Sequence, residues 1–332
     1  DEHSPIPHTR LGQGADAIVV APATARLIGS YAGGISDDLL TATLLATRAP
    51  VVVCPAMHTE MWEHPAVQDN LGLLRDRGVR IVDPEPGRLA GGDVGHGRLA
   101  DPAAIVAEVE RAVGPNDLAG LHVVVTAGGT REPIDPVRVI SNRSSGKQGF
   151  ALATAASARG ARVTLVSTVD RDPHPGVEVV HVESAADMQA AVMPLSADAD
   201  VIVMAAAVAD FMPAEVAGDK IKKGDGLDAI PLTPTHDFLV DLGQRKPEGQ
   251  TLVGFAAETQ DLEANARGKL ERKNLDLIVA NDVSMENVGF AHDTNEVLIL
   301  TRTGRRAVAL TSKRAIADAV FDAVIATRTN AS

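Results

Sequence analysis

The chain has 332 residues, a formal net charge of −13 and an aromatic content of only 2%. That length is sufficient for two domains with separate cores, and the 45% hydrophobic fraction must come mainly from Ala, Val, Leu and Ile. We therefore predict an α/β protein with Val/Ile-rich buried strands and Ala-rich helices. The acidic charge argues against nucleic acid or an anionic membrane as a partner, because phosphate contacts need clustered cations.

The cysteine content and the hydropathy of the chain indicate the cellular compartment of the protein. Cys54 is the only cysteine, which excludes an intrachain disulfide and a cysteine-based metal cluster. No apolar run approaches the length of a membrane span. We expect no signal peptide, because the given sequence does not open with a basic region followed by an apolar stretch. We expect a cytoplasmic protein.

Residues 1–113 form the first predicted domain. Short apolar runs predict parallel strands, and longer amphipathic stretches between them predict helices. The strands are predicted at Asp16–Ala21, Val51–Cys54 and Val79–Val82, and the helices at Asp37–Arg48 and Pro65–Arg77. The chain begins with loop-like residues, without the strand and phosphate-binding turn that usually open such a domain. We expect this domain to be incomplete at its N-terminus.

A breaker cluster at Gly114–Asp117 predicts a linker, which we assign to residues 114–120. A second α/β domain is predicted over residues 121–328. Its strands are predicted at Leu121–Thr126, Arg162–Ser167, Val177–Val182, Asp200–Ala205, Thr251–Ala256 and Leu275–Ala280, with a hairpin at Glu296–Leu300 and Ala307–Leu310. Its helices are predicted at Phe150–Arg159, Ala185–Leu195, Leu262–Lys273 and Lys313–Ala326. The predicted fold is thus two doubly wound, Rossmann-like domains, the first incomplete.

A glycine-rich loop follows the first strand of the second domain. It contains TAGGT at 126–130 and NRSSGK at 142–147, just before a helix. Glycines let backbone N–H groups approach an anion, and a helix N-terminus favours negative charge. Two alternatives without a ligand remain open. The glycines could form only a tight turn between strand and helix, and Arg143 and Lys147 could be solvated surface charges.

The segment AAAVAD at 205–210 lies at the carboxyl end of a predicted central strand, where open α/β sheets bind ligands. Its small side chains leave room for a planar base or a sugar. Asp210 could accept a hydrogen bond from a ribose hydroxyl, hold a metal ion, or only cap the following turn.

Two groups of lysines are candidates for contacts with phosphate. In KIKK at 220–223, the simplest interpretation is that the lysines are solvated surface charges. The alternative is that one mobile lysine reaches a triphosphate. Lys269 and Lys273 are spaced i, i+4 on a predicted helix, so they repel each other mildly. An anion between them would remove that cost. Screening by Glu263, Glu271 and solvent is the alternative.

These motifs occur in one order together with VGFAAET and RKNLDLIVANDV. The set closely resembles the phosphopantothenate–cysteine ligase half of bifunctional coenzyme A biosynthesis proteins, over about residues 117–328. The resemblance implies CTP-dependent, Mg²⁺-assisted joining of L-cysteine to 4'-phosphopantothenate through an acyl-cytidylate. It also implies a homo-oligomer, with ligase dimers built into a larger assembly through the decarboxylase domain.

The resemblance also implies roles for individual residues. Asn142 matches the asparagine that stabilises the acyl-cytidylate, and Lys220 matches the lysine of a flexible lid that contacts the triphosphate and the reacting carboxylate. The segment TPTH at 233–236 departs from the Asn-Pro common in relatives. Besides Lys220, the positions implied to contact CTP are Met204, Ala205, Ala206, Asp210, Thr233, Pro234, Thr235, His236, Phe255, Lys269 and Lys273. No metal ligand is identified.

The first domain resembles the flavin-dependent decarboxylase fused to this ligase. The matching motifs are PIPH at 5–8, APATA at 21–25, GISDDLL at 34–40 and PAMHTEMW at 55–62. The resemblance implies FMN, conversion of 4'-phosphopantothenoylcysteine to 4'-phosphopantetheine, and a proton-accepting role for His8 in a proline-flanked loop. The positions implied to contact FMN or the decarboxylase substrate are Pro22, Ala23, Thr24, Met57 and His58.

Three departures affect the first domain. His58 stands where many relatives have an asparagine that binds the substrate carboxylate, and Gly91 stands where many carry the reductive proton-donor cysteine. The first strand and phosphate turn are also missing from the pattern. We expect poor FMN binding and little decarboxylase activity from this chain.

Parts of the sequence also suit two other functions. A strand–glycine loop–helix unit also suits an NAD(P)-dependent oxidoreductase, but the loop does not continue as G-x-G-x-x-G. Tyr31 is the only tyrosine and has Ile35 four residues later, so the Tyr-x-x-x-Lys pair is missing. A non-catalytic nucleotide-binding protein is the other alternative. Asn142, Asp210 and Lys220 argue against it for the second domain, whereas Gly91 leaves it open for the first.

Overall fold

A computed structural model describes residues 6–89, 91, 92, 94–222, 229–258, 261–282 and 294–331. The chain forms two compact units, Asp1–Asn116 and Asp117–Ser332. Parallel sheets flanked by helices confirm the predicted α/β class. Across the described ranges, no helix is both long and apolar enough to cross a membrane. Some residues of the motifs above lie outside the described residues, namely Pro5, Lys223, Thr259 and Val283.

The first unit contains a parallel sheet with strand order β1-β2-β3 and a separate antiparallel hairpin, β4–β5. Its described elements are α1 (Pro7–Gly14), β1 (Ile18–Ala23), α2 (Ala25–Gly33), α3 (Leu39–Ala46), β2 (Val51–Pro55), α4 (Thr59–Trp62), α5 (Pro65–Asp76), β3 (Arg80–Ile81), β4 (Glu85–Arg88), β5 (Val94–Arg98) and α6 (Pro102–Val113). The helices α1, α2, α4 and α6 were not predicted from the sequence.

The core of the first unit lies between the strands β1 and β2 and the helices α2 and α5. Ile28, Leu71 and Leu74 are fully buried there, and Tyr31 and Trp62 pack against this cluster while remaining partly exposed. The helix α2 begins after Thr24, whose hydroxyl accepts a hydrogen bond from the backbone N–H of Leu27 at 3.3 Å.

His8 does not lie in a loop, and that prediction is wrong. It is the second residue of α1, which begins at Pro7. Proline is well tolerated at the first helical position, where its fixed φ fits and its missing N–H has no intrahelical partner to lose. A Cβ on Gly12 would lie 3.0 Å from the carbonyl carbon of Ala46, so α1 packs closely against the end of α3.

The second unit is built on one eight-stranded sheet with the order β10-β9-β6-β11-β14-β15-β16-β17. All pairs from β10 to β15 are parallel, and the last two pairs are antiparallel. The described elements are β6 (His122–Ala127), β7 (Arg131–Pro133), β8 (Val139–Ser141), α7 (Lys147–Ala158), β9 (Arg162–Ser167), β10 (Val177–His181), α8 (Ala185–Leu195), β11 (Val201–Met204), β12 (Phe211–Pro213), β13 (Leu232–Pro234), α9 (Phe238–Arg245), β14 (Thr251–Glu258), α10 (Leu262–Arg272), β15 (Leu277–Asp282), β16 (Thr294–Thr301), β17 (Arg305–Ser312) and α11 (Lys313–Ala331).

Helices cover both faces of this sheet. Val123 and Val125 on β6 point into a core shared with α7 and α11, whereas Val124 between them points into a core shared with α8, α9 and α10. Successive residues of a strand point to opposite faces, so strands covered on both sides read as continuous apolar runs. This arrangement leaves the carboxyl ends of the parallel strands as the edge at which loops gather.

The segment that opens the second unit is packed into it. Leu118 is fully buried in the α7–α11 core. Arg159, only 5% exposed, binds Asp117 at 2.6 Å and Asp322 at 2.9 Å. The predicted linker at 114–120 therefore includes residues that belong to the second unit.

Candidate functional site

Two adjoining cavities open at the carboxyl edge of β6, β11 and β14. Their volumes are about 420 and 110 Å³, and they share a wall made by Ala206, Ala207, Phe255, Ala256 and Ala257. The small side chains predicted after β11 therefore do border an open space. One shared wall between two cavities suits a ligand, or a pair of ligands, that reaches from one into the other.

Two buried threonines fix the loop after β11. The hydroxyl of Thr126 accepts a hydrogen bond from Ala206 N at 3.1 Å, and the hydroxyl of Thr130 accepts one from Ala209 N at 2.9 Å. Both threonines are fully buried. The loop that forms the shared wall is thus held by side chains of the neighbouring strand and its glycine turn.

Asn142 borders the larger cavity. Its amide Nδ2 donates to the carbonyl of Val208 at 3.1 Å and to that of Ala207 at 3.4 Å. Gly129 allows this approach, because a Cβ there would lie 2.6 Å from the carbonyl oxygen of Asn142. The glycine predicted to admit an anion here admits the backbone of Asn142.

The smaller cavity lies at the N-terminus of α7. Gly146 precedes this helix in the left-handed region, with φ of 71°, and as a glycine it has no side chain to cap the first turn. The cavity is lined by Lys147 and Lys313, and its described lining includes no carboxylate. The first N–H groups of a helix and two cations attract negative charge. The buried Oε1 of Gln148, another lining residue, has no hydrogen-bond partner among the described residues.

Lys269 and Lys273 both line the larger cavity, but each already binds a carboxylate. Lys269 Nζ lies 2.7 Å from Glu258, and Lys273 Nζ lies 2.7 Å from Asp237. The repulsion between the two lysines is therefore relieved by carboxylates of the chain itself. These carboxylates are neither a bound anion nor Glu263 and Glu271, the two explanations that the sequence suggested. The acceptors come from the end of β14 and from the start of α9, which sequence spacing does not reveal.

The remaining polar lining of the larger cavity comes from the segment before α9. Asp210 is exposed, and its carbonyl accepts from Thr235 N at 2.9 Å. The Thr235 hydroxyl oxygen is buried and has no partner among the residues that the structure describes. The ring of His236 lies 2.8 Å from Asp241 through Nε2. Asp210, Thr235 and His236 thus line the same space.

Most of the residues predicted for the ligase site border the two cavities. Asn142, predicted to stabilise the acyl-cytidylate, is one of them, and the predicted CTP contacts that do so are Met204, Ala205, Ala206, Asp210, Thr235, His236, Phe255, Lys269 and Lys273. Three others do not: Lys220 is exposed on the segment after β12, and Thr233 and Pro234 belong to β13, which pairs with β12. The smaller cavity is also lined by Asn281, Asn295 and Lys313, which were not predicted from the sequence.

In the first unit, the residues predicted for FMN gather at the ends of β1 and β2. Ala56 N donates to the carbonyl of Ala23 at 3.0 Å, and Met57 N donates to that of Gly97 at 2.9 Å. Gly97 has φ of 139°, and a Cβ there would lie 2.0 Å from the carbonyl oxygen of Met57. Pro22 and Thr24 flank Ala23 at the same edge. The edge is thus formed mostly by small side chains and close backbone.

The two histidines predicted for the first unit lie in different surroundings. His58 binds Glu60 through Nδ1 at 2.5 Å. His8 borders a separate cavity of about 550 Å³, whose lining includes Asp37 and Asp38. Within the described part of the chain, no hydrogen bond joins His8 to Ala23 or its neighbours, and these residues do not line the cavity that His8 borders.

Cys54 and Gly91 are the two residues of the first unit that bear on proton donation. Cys54 lies in β2 and is fully buried, and burial raises the pKa of its thiol to about 11. Gly91 is exposed between β4 and β5. Cys54 therefore does not take the place of an exposed, titrating donor.

Comparison with known proteins identifies the family. Residues 118–327 match the family described as the DNA/pantothenate metabolism flavoprotein C-terminal domain, and residues 1–114 match the flavoprotein family. The coenzyme A biosynthesis bifunctional protein CoaBC of Mycobacterium bovis is 49% identical, over an alignment that covers 96% of this chain and 81% of that protein. The chain belongs to the CoaBC family. The family predicted from the motifs, a decarboxylase fused to a ligase, is confirmed.

Two further relatives of this CoaBC family member add detail. A cysteine/cysteine sulfinic acid decarboxylase from an unknown prokaryotic organism is 46% identical, over 89% of this chain and 84% of that protein. The crystal structure of the C-terminal domain of a CoaBC protein superposes with a TM-score of 0.56 at 38% identity, covering 65% of this chain and 99% of that one. The second unit thus has a solved counterpart across nearly its whole length.

Proposed function

We propose that the second unit joins L-cysteine to 4'-phosphopantothenate at the expense of CTP, through an acyl-cytidylate. One observation carries this proposal. A lysine-lined cavity at the N-terminus of α7 adjoins a larger polar cavity that Asn142 borders. A nucleoside triphosphate has a polar base and sugar at one end and a dense negative charge at the other, and the two cavities match these ends.

The proposed nucleotide position follows from the charges. The cytidine occupies the larger cavity, where Asp210 accepts from a ribose hydroxyl. The Thr235 hydroxyl, which has no partner among the described residues, contacts the base or sugar. The triphosphate points to the first turn of α7, Lys147 and Lys313, since oriented N–H groups and cations favour phosphate. The other proposed contacts are Met204, Ala205, Ala206, His236, Phe255, Lys269 and Lys273, with Lys220, Thr233 and Pro234 from the β12–β13 region.

The chemistry proceeds in two steps. A carboxylate oxygen of phosphopantothenate attacks the α-phosphorus of CTP, and the bond from that phosphorus to pyrophosphate breaks. The amine of cysteine then attacks the acyl carbon, loses a proton and releases CMP. Asn142 stabilises the acyl-cytidylate with its amide, and the cations stabilise charge that builds on the phosphoryl oxygens.

Mg²⁺ is expected with the nucleotide. Mg²⁺ sites often use substrate phosphates and only one or two carboxylates. In the described residues, no three potential metal ligands cluster, and this fits an ion held largely by the triphosphate. The ion would neutralise charge on the triphosphate.

For the first unit we propose the decarboxylation of 4'-phosphopantothenoylcysteine with FMN. Pro22, Ala23, Thr24 and Met57 would hold the flavin, because the small side chains at the ends of β1 and β2 leave room for a planar ring. His58 would donate a hydrogen bond to the substrate, and His8 would accept a proton. Bound FMN would supply two-electron oxidation of the substrate thiol.

Gly91 leads us to propose a weak decarboxylase. It offers no side chain to return a proton, and Cys54 is buried with a raised pKa. We expect slow formation of phosphopantetheine, measured by mass spectrometry, and a weak flavin absorbance band after purification. Gly91→Cys should raise the rate by about 100-fold, the lower end of what a positioned acid contributes, and Gly92→Cys is the neighbouring control. Fast turnover by the unmodified chain would contradict this proposal.

The ligase is tested by pyrophosphate release. The chain is incubated with CTP, Mg²⁺, phosphopantothenate and cysteine, then with each substrate omitted in turn. We expect release that requires CTP and phosphopantothenate, and a loss of about 100-fold or more in Asn142→Ala, as for other oxyanion-stabilising groups. Lys246→Ala is the control, because Lys246 binds Asp276 at 2.7 Å and borders neither cavity. No pyrophosphate from any nucleoside triphosphate would overturn the ligase proposal.

We also assign the second unit to the doubly wound, Rossmann-like class, and propose that it forms a homodimer. The strand order and the helices on both faces support the class. Exposed apolar side chains on the β7–β8 and β12–β13 hairpins support the dimer. They include Val139 (44% exposed), Phe211 (53%) and Leu232 (50%). Sedimentation should find a dimer that Phe211→Asp dissociates. A larger assembly through the first unit would raise the mass further.

A further inference from the structure

Asp135 is a buried carboxylate in the turn between β7 and β8. It is 2% exposed, and its Oδ1 accepts from the backbone N–H groups of Val137 and Arg138 at 2.8 and 2.9 Å. The guanidinium of Arg138 binds its Oδ2, with Nε at 2.9 Å. A buried carboxylate with this many donors is held in a single orientation.

The same carboxylate reaches the segment that carries Lys220. Oδ2 of Asp135 accepts from Ile221 N at 3.2 Å, and Arg138 donates to the carbonyl of Ile221 at 2.8 Å. On the other side of Lys220, Ala217 N donates to the carbonyl of Ile134 at 3.0 Å. Lys220 is exposed, but the backbone on both sides of it is bound to the β7–β8 turn.

The hairpin also leads directly to Asn142. The strand β8 ends at Ser141, and the amide of Asn142 donates to the carbonyl of Val208 at 3.1 Å. One short hairpin therefore precedes the asparagine and holds the lysine segment, although the two residues are far apart in sequence. A change in the turn would act on the lysine through a few hydrogen bonds.

We propose that Asp135 is a positioning residue that fixes the backbone at Lys220 relative to Asn142 in the ligase reaction. This inference rests on the proposed ligase function. Asp135 touches no substrate; it acts through the Ile221 N–H and through Arg138. The arginine holds the pKa of the Asp135 carboxyl well below its usual range, so the group stays ionised at any practical assay pH.

A double-mutant cycle on pyrophosphate release tests the proposal. The variants are Asp135→Asn, Lys220→Ala and the double substitution. We expect Asp135→Asn to lower kcat/KM for CTP by about 10-fold alone and by less than about 2-fold when Lys220 is already alanine. Losses that multiply independently would overturn the proposal. Ile221→Pro removes the same N–H donor, and it also fixes φ at position 221 and restricts the backbone of Lys220. It should likewise lower kcat/KM for CTP, and it serves if Asp135→Asn folds poorly.

Trypsin digestion gives a readout that does not depend on ligase activity. Cleavage after Lys220, followed by mass spectrometry, should be at least about 5-fold faster in Asp135→Asn than in the unmodified chain. Glu215→Gln is the matched control, an exposed carboxylate in the same segment but away from the scissile bond, and should cleave at the unmodified rate. Equal cleavage in all three proteins would overturn the inference. Absence of pyrophosphate release alongside faster cleavage would instead count against the proposed function alone.

Discussion

Gly149 lies where α7 meets β6, and Gly149→Ala should destabilise the second unit. A Cβ at this position would lie 2.5 Å from the Cβ of Ala127, 2.9 Å from the carbonyl oxygen of Thr126 and 3.0 Å from the Cα of Ala127. These are backbone or near-backbone atoms in a strand that is buried throughout, so they cannot move aside as a flexible side chain can. The helix must shift away from the sheet instead.

The magnitude follows from two opposing terms. Overpacking a buried site costs about 1–3 kcal/mol, and replacing a helical glycine by alanine returns at most about 1 kcal/mol. We expect a net loss near 2 kcal/mol in the free energy of unfolding, or roughly 4–8 °C in Tm for a unit of this size. Pyrophosphate release should fall as well, because the displaced helix end is the proposed phosphate site.

The assay is thermal and urea unfolding followed by far-ultraviolet circular dichroism. Gly268→Ala is the matched control, since Gly268 also lies in a helix, α10, but a Cβ there meets nothing within 4 Å. That variant should gain about 0.5–1 kcal/mol. Opposite signs for the two variants are the expected result. A Gly149→Ala protein as stable as the unmodified chain would refute the packing argument.

Three further predictions follow. Cys54, with a pKa of about 11 in place of the usual 9.0, should react with iodoacetamide at pH 8 at least about 100-fold more slowly in the native chain than in urea, and equal rates would contradict its burial. Asp38 caps α3, and the N–H of Thr41, followed by Arg26, lowers its pKa to about 2 from 3.8. A depressed carboxyl pKa stabilises the fold above the unfolded value, so the stability gap between the unmodified chain and Asp38→Asn should shrink as pH falls from about 4 to 2, as urea titrations at several pH values would measure. Lys273→Ala should raise KM for CTP by about 10-fold with little change in kcat, the size expected for one charge-assisted contact, and an unchanged KM would remove Lys273 from the nucleotide site.

Sequence reasoning predicted the elements that are buried on both sides. The strand Arg162–Ser167 and the helix Ala185–Leu195 have the predicted bounds. The strand is buried at every position after Arg162, and Ser184 and Asp187 form a capping box at the start of the helix. The short exposed hairpins were missed, because three-residue strands such as Arg131–Pro133 carry no usable alternation.

The sequence predicted those site residues that lie at the ends of neighbouring parallel strands. The loops after β6, β11 and β14 meet because parallel strands end at one edge, so Asn142, Asp210 and Phe255 fall together. Lys313 could not be found in this way. It opens the C-terminal helix after an antiparallel hairpin, and only the packing of α11 on α7 brings it to the cavity. The carboxylates that bind Lys269 and Lys273 are likewise tertiary neighbours.

The chain's single tryptophan, Trp62, and single tyrosine, Tyr31, both pack in the first unit. Intrinsic fluorescence therefore reports on that unit alone, and the ligase-type unit is nearly silent above 280 nm. The two units can be followed separately in one cuvette, by emission for the first and by far-ultraviolet dichroism for the sum. A single tryptophan introduced beside the larger cavity would then give a titration signal for nucleotide with little background from the rest of that unit.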